Sequence, residues 1–171
     1  MFEFCPNCSS KNISFLENKK IVCQDCNFEY YHNVAGAVAV ILKKEDSILL
    51  TQRNQEPQKG KWDLPGGFID PNETAEHCCF RELNEELNIK IDTKKLQYIA
   101  SEPNTYLYKN ILYNTIDMFF LLEFQDEITN FDSIELQAFH WIKFTEVSLE
   151  SIAFDSQRKV LNKIIDNLNY K

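Results

Sequence analysis

The stretch LPGGFIDPNETAEHCCFRELNEEL, residues 64–87, limits the fold more than any other part of the chain. Four of the 171 residues are glycine, and two of these stand together at Gly66-Gly67, a turn that lets backbone approach a neighbour closely. After Pro71 and Asn72, Thr74 is placed to cap a helix that runs to about Asn88, where asparagine accepts a left-handed stop. At about 100° per residue, Glu82 and Glu86 lie within about 40° of one another and Glu85 within about 60° of Glu82, so three carboxylates share one sector. Leu83, Leu87, Cys79 and Phe80 fill the adjoining sector. The small Ala75 and Cys78 lie on the acidic side, where the preceding turn has room to approach.

Like charges at these spacings repel by a few tenths of a kcal/mol per pair, and a merely solvated face more often mixes signs. A divalent cation removes the conflict. Mg²⁺ or Mn²⁺ prefers carboxylate and carbonyl oxygens, so Glu82, Glu85 and Glu86 are expected to bind one together with a bare backbone carbonyl of the Gly-Gly turn. Such a site suits hydrolytic attack on a phosphate, with a carboxylate taking the proton. The charge balance agrees: 26 acidic against 18 basic residues give a net charge of -8, so an anionic substrate needs a cation between itself and the protein. The same balance disfavours nucleic acid as a partner.

The first residues carry a second metal signature, Cys5-Pro-Asn-Cys8 and Cys23-Gln-Asp-Cys26. Doubled CxxC pairs around the hairpin-like ISFLENKKIV favour a closed tetrahedral Zn²⁺ site over a redox motif. Residues 1–33 are too few to hold a core of their own, so this zinc is read as structural. Lys11, Lys19 and Lys20 of this segment are offset by Glu3, Glu17, Asp25 and Glu29. The opening MFEFCPNC has no basic or apolar leader pattern, and the longest apolar run, Val34 to Leu42, falls well short of the ~20 residues of a membrane span. A cytoplasmic location is expected.

Beyond residue 33, VAGAVAVIL, SILLTQR and AFHWIKF read as strands, as does the apolar stretch Ile111 to Phe124; NQEPQKGKW reads as a loop. Val160, Leu161, Ile164, Ile165 and Leu168 share one face of a C-terminal packing helix. The expected fold is an α/β sandwich over residues 34–171 behind a small ribbon. Cys78, Cys79, His32, His77 and His140 are read as structural. Arg53, after a strand, offers itself for a phosphate or an ion pair.

Gly67, Glu73, Arg81, Glu82, Leu83, Glu85, Glu86 and Ile89 resemble the Nudix box, G-x5-E-x7-R-E-U-x-E-E-x-G-U, with Asn88 in place of the last glycine. The resemblance implies an α/β/α Nudix sandwich with a mixed sheet. It also implies metal-dependent splitting of the pyrophosphate bond of a nucleoside diphosphate derivative, such as ADP-ribose, NADH or another dinucleotide. By the same resemblance Glu82, Glu85 and Glu86 are metal ligands or base, Gly66 supplies its carbonyl, and Arg81 holds Glu73 or Glu85. A further acidic residue from a later loop is implied, with Glu135 the first choice and Glu123 and Glu127 the alternatives. A zinc ribbon ahead of such a domain resembles the NADH pyrophosphatase branch. That branch carries S-Q-P-W-P-F where this chain has Ser101-Glu102-Pro103-Asn104-Thr105-Tyr106, a partial match in which Tyr106 or Tyr108 is placed to stack on a base. The expected partner is a small nucleotide; neither a membrane nor nucleic acid is expected, and a homodimer is allowed for. A zinc-ribbon adaptor and a Nudix-like ligand sensor are the alternative readings.

Overall fold

The computed structural model describes residues 2–17 and 19–169, the side chains of 168 and 169 excepted. It divides into two compact units, Met1–Val34 and Ala35–Lys171.

In the first unit β1 (Ile13–Leu16) and β2 (Lys20–Cys23) form the antiparallel hairpin expected of ISFLENKKIV. A third strand, β3 (Glu29–Tyr31), adds to β2. Nothing in the composition of so short and exposed a segment announces it. Among the described apolar residues of this unit, the buried ones are Cys5, Ile21 and Cys23. A single buried aliphatic side chain contributes about 1.5–3 kcal/mol, far below the cost of ordering some thirty residues.

The second unit is built on a sheet ordered β6-β5-β4-β8-β7, with β9 on the other edge of β5. Its strands are β4 (Ala35–Lys44), β5 (Ser47–Arg53), β6 (Trp62–Asp63), β7 (Gln97–Tyr108), β8 (Ile111–Glu123) and β9 (Leu136–Lys143). β4 and β8 run parallel and the other pairs antiparallel, so the sheet is mixed. β7 is the strand that the sequence pattern hid: its residues come in blocks, with the run Ser101-Glu102-Pro103-Asn104-Thr105 between Tyr98-Ile99-Ala100 and Tyr106-Leu107-Tyr108, and include Pro103. An edge strand tolerates proline because one side of its backbone needs no sheet partner.

Alternation along β4 produces the layers. Val38, Val40 and Leu42 pack with Cys78, Cys79, Leu83 and Leu87 of α1 (Ala75–Leu87). Ala39 and Ile41 point the other way, toward Val160 and Leu161 of α2 (Asp155–Asn169), with Ile164 and Ile165 at the margin. Two apolar faces, each covered by a helix, give the α/β/α sandwich. The Leu168 side chain lies outside the described residues.

The feature that makes room for a site is a splay. β4 and β5 pair at Lys43–Ile48 and Lys44–Ser47, and β5 then turns to β6 and β9. The Gly-Gly segment enters the gap beside β4.

Candidate active site

Three backbone bonds zip the Gly-Gly segment to β4. The Val40 N–H donates to Pro65 O at 2.8 Å, the Val38 N–H to Gly67 O at 2.9 Å, and the Ile69 N–H to Gly36 O at 3.0 Å. With Pro65 and Gly67 carbonyls turned toward β4, the alternation of an extended segment turns the Gly66 carbonyl away from it. Gly66 has φ +151°, and a Cβ there would run into the Val38 carbonyl, with its carbon at 2.9 Å; a Cβ on Gly67 would strike the Glu82 carboxylate, with Cδ at 2.6 Å. Glycine is therefore required at Gly66 by the backbone of β4, while a side chain at Gly67 would displace the Glu82 carboxylate. Gly66→Ala is expected to lower stability by about 2–4 kcal/mol, because the obstacle is backbone, which cannot swing aside; urea unfolding measures it.

The helix that follows starts and stops as its sequence dictates. Thr74 accepts a hydrogen bond from the His77 N–H, and Asn88 ends α1 at φ 53°. Cys78 Sγ lies 3.4 Å from Phe68 O, so the small residue on the acidic side does admit the loop. Both Cys78 and Cys79 are buried and burial pushes their thiols up, Cys79 to about 12, which makes them packing groups.

Arg81 is the hub of the acidic stripe. It grips Glu73 with two N–H groups, each at 3.0 Å, and reaches Glu82 at 2.7 Å, Glu85 at 3.1 Å and Phe68 O at 2.9 Å. The alternatives Glu73 and Glu85 are thus both engaged, and Glu82 with them. The Arg81 bonds, with help from the Asp70 N–H and His77, hold the Glu73 carboxyl at about 2. Glu82 and Glu86 respond differently. Both are buried, at 9% and 8% exposure, and burial raises their carboxyls despite the Arg81 bonds to Glu82. Glu86 is raised well above the carboxylate range, with Asp63, Glu82 and Glu135 adding repulsion, and its Oε2 has no hydrogen-bond partner among the described residues.

Glu135 arrives from the far end of the chain because its loop is tied at three points. The Asp132 N–H donates to Glu86 O at 2.8 Å, the Asn54 N–H to Glu135 O at 2.8 Å, and the Asn54 amide to Ser133 O at 2.9 Å. The alternatives fall elsewhere: Glu123 pairs with Lys43 at 2.5 Å and Glu127 is exposed outside the cavity.

Gly66, Arg81, Glu82, Glu85, Glu86 and Glu135 line one cavity of about 450 Å³, and Arg53 and Tyr106 line it too. Arg53 is held rather than free. It donates to Asp63 at 2.6 Å and to Pro57 O at 2.8 Å, and its guanidinium lies 5.1 Å from the centre of the Phe154 ring. Tyr106 meets Phe68 edge-on at 5.2 Å and Phe154 at 5.8 Å. Tyr108 lines the same wall.

The buried polar groups behind this wall went unread in the sequence. Asp63 is clamped between Arg53 and Gln157 of α2, and burial still pushes its carboxyl up. Asp117 collects Asn104, Thr115 and Ser156. Each network joins side chains from separate elements, so no local spacing signals it; a lone acid inside an apolar strand, such as Asp117 in TIDMFFLL, is the one available hint.

In the first unit Cys5, Cys8, Cys23 and Cys26 come together with all four sulfurs within 4.8 Å of one another, and the Cys5–Cys26 and Cys8–Cys23 pairs at 3.6 Å. Ligands about 2.3 Å from a tetrahedral centre stand about 3.8 Å apart, so the cluster has the size of a Zn²⁺ site. The Asn7 amide, donating to the Cys26 sulfur at 3.6 Å, helps bring that thiol down to about 6.

The NUDIX domain model matches residues 32–164. The chain is 31% identical over 144 residues to the NAD-capped RNA hydrolase NudC of Photobacterium profundum, covering 84% of this chain and 51% of that protein. It thus spans about half the length of the curated relatives it matches. Among solved structures, a NUDIX hydrolase from Nitrosomonas europaea superposes with a TM-score of 0.67 at 24% identity, covering 99% of this chain and 93% of that one. The NUDIX domain of Shewanella oneidensis NrtR, complexed with ADP ribose, superposes with a TM-score of 0.64 at 20% identity, covering 81% and 90% of the two chains. The Gly-Gly turn on β4, the helix with its carboxylates gathered by Arg81, and a domain match over most of the chain converge: the protein belongs to the Nudix family.

Proposed function

We propose that the second unit hydrolyses the pyrophosphate bond of a nucleoside diphosphate derivative, such as ADP-ribose, NADH or another dinucleotide. The observation that carries this is Glu86, a buried carboxylate with an unpartnered Oε2, set beside Glu82 and facing Glu135 at a cavity wall. Such a group is costly to bury unless a cation joins it. The oxygens of Glu82, Glu85 and Glu86 with the Gly66 carbonyl are hard donors that suit Mg²⁺ or Mn²⁺. When bound, the ion neutralises phosphate oxygens and activates water.

The chain's own residues then have distinct tasks. Arg81 keeps Glu82 and Glu85 oriented, and Arg53 on the cavity wall offers its remaining N–H groups to phosphate. A carboxylate of the cavity accepts the proton of the attacking water: Glu82 and Glu86, whose carboxyls burial raises, and Glu135 on the same cavity wall are the candidates. Tyr106 gives the base an aromatic surface. The NudC relatives act on NAD-capped RNA and a structural neighbour holds ADP ribose, both of which carry a nucleoside diphosphate.

Residues 1–33 act as a structural zinc ribbon, and 34–171 as the Nudix domain. Four thiolates around zinc suit the reducing cytoplasm, and no helix among the described residues is long and apolar enough to cross a membrane. Hydrolysis of ADP-ribose in ¹⁸O-labelled water with Mg²⁺ or Mn²⁺ tests the reaction. Label in the phosphate of AMP or of ribose phosphate is expected; release of inorganic phosphate from triphosphates or monoesters, with no diphosphate split, would overturn it.

A further inference from the structure

The half-matched motif Ser101-Glu102-Pro103-Asn104-Thr105-Tyr106 lies on β7, where Glu102, Asn104 and Tyr106 are half-buried and the residues between them exposed. Asn104 stands opposite Thr115 of β8, and Glu102 opposite Asp117. Asp117 is 8% exposed and accepts three hydrogen bonds: from Asn104 Nδ2 at 2.9 Å, Thr115 Oγ1 at 2.7 Å and Ser156 Oγ at 2.6 Å. Thr115 and Ser156 are themselves buried. A carboxylate that already collects two hydroxyls requires the amide nitrogen of Asn104, not its oxygen, so the orientation of that amide is fixed. Its Oδ1 is therefore turned away from Asp117, and no hydrogen bond among the described residues engages it. Asn104, Thr115 and Asp117 line the same cavity as the carboxylates, together with the rings of Phe68, Tyr106 and Phe154.

We propose that Asn104, held in position by Asp117, is a specificity-determining residue that accepts a hydrogen bond from an NH₂ group on a planar ring of the ligand. The NADH pyrophosphatase motif has an aromatic residue at this place; here a flat apolar surface is replaced by an oriented acceptor. Adenine with its exocyclic amine and nicotinamide with its carboxamide both supply the donor, and the aromatic wall stacks either ring. A site built to hydrogen-bond a polar group rejects the analogue lacking it more sharply than an apolar pocket distinguishes shapes, by about tenfold or more for one well-made contact. The inference rests on the nucleotide-hydrolase reading for what enters the cavity, yet it is tested by binding alone.

The experiment measures calorimetric affinity of the full chain, with Mg²⁺ present, for two pairs that differ in the donor: AMP against IMP, and nicotinamide mononucleotide against nicotinic acid mononucleotide. The expected result is a preference of about tenfold or more for the amino member of one pair, and that pair identifies the source of the ring. Asn104→Leu should bring the ratio to near one, and Asp117→Asn should reduce it by loosening the amide, with circular dichroism confirming that both variants fold. Equal affinities within both pairs, binding of neither, or a ratio unchanged in Asn104→Leu would overturn the proposal. Loss of the ADP-ribose hydrolysis prediction alongside an intact amino preference would remove only the pyrophosphatase reading.

Discussion

Glu86→Gln is expected to reduce kcat/KM for ADP-ribose by about 10²–10³-fold while making the metal-free domain more stable, by about 1–2 kcal/mol. The two effects share one cause. Glu86 is buried with Oε2 unpartnered, so without a cation its charge opposes folding, and with one it is a ligand. The pH dependence follows with a definite sign. A carboxyl raised in the folded state stabilises the fold fully below its unfolded pKa, and that contribution is lost as pH rises through the raised value. Metal-free wild type should therefore lose stability as pH climbs above the ordinary carboxylate range, the variant less so, and Mg²⁺ should restore wild type preferentially. Urea midpoints across pH with and without Mg²⁺ measure all of this. An equally stable or less stable metal-free variant with undiminished turnover would remove Glu86 from the site.

The second large effect concerns zinc. Chelation, or Cys23→Ser, should unfold residues 1–34 and leave the second unit folded, because the buried residues described in the first unit are Cys5, Ile21 and Cys23, whereas the second has an apolar cluster on each side of its sheet. Structural zinc contributes on the order of 10–16 kcal/mol to small thiolate domains, far more than Ile21 contributes by burial. Two-dimensional amide NMR resolves the outcome: resonances of 1–34 collapse to random-coil positions and those beyond stay dispersed. Retention of the hairpin signals with zinc gone would show that the unit folds on another basis.

What the sequence made legible was local. Thr74 and Asn88 bound α1 because capping is decided within one turn; of the Arg81 contacts only Glu85 stands at helical spacing, while Glu73, eight residues away, is legible only through the family resemblance. Residues 101–106 are legible as a motif but not as a strand, since Pro103 and the polar run around it mask an edge strand whose support comes from β8. The Asp63–Gln157 and Asp117–Ser156 contacts were illegible for a simpler reason. They join strands to α2 across most of the domain, and only the fold brings such donors and acceptors within reach. Arg53 shows the limit within a single residue: the sequence offers it for a phosphate or an ion pair, but the identity of its partner, Asp63, is set only where β6 pairs with β5.

The central claim is that Glu82, Glu85 and Glu86 hold a divalent cation at the cavity. Electron paramagnetic resonance of Mn²⁺ titrated into zinc-loaded protein tests it without any substrate, because bound Mn²⁺ loses the sharp six-line spectrum of the free ion. Saturable loss of that signal by wild type, strongly weakened in Glu86→Gln and in Glu85→Gln, is the predicted result. Free-ion signal undiminished by wild type, or identical uptake by all three proteins, would contradict the account.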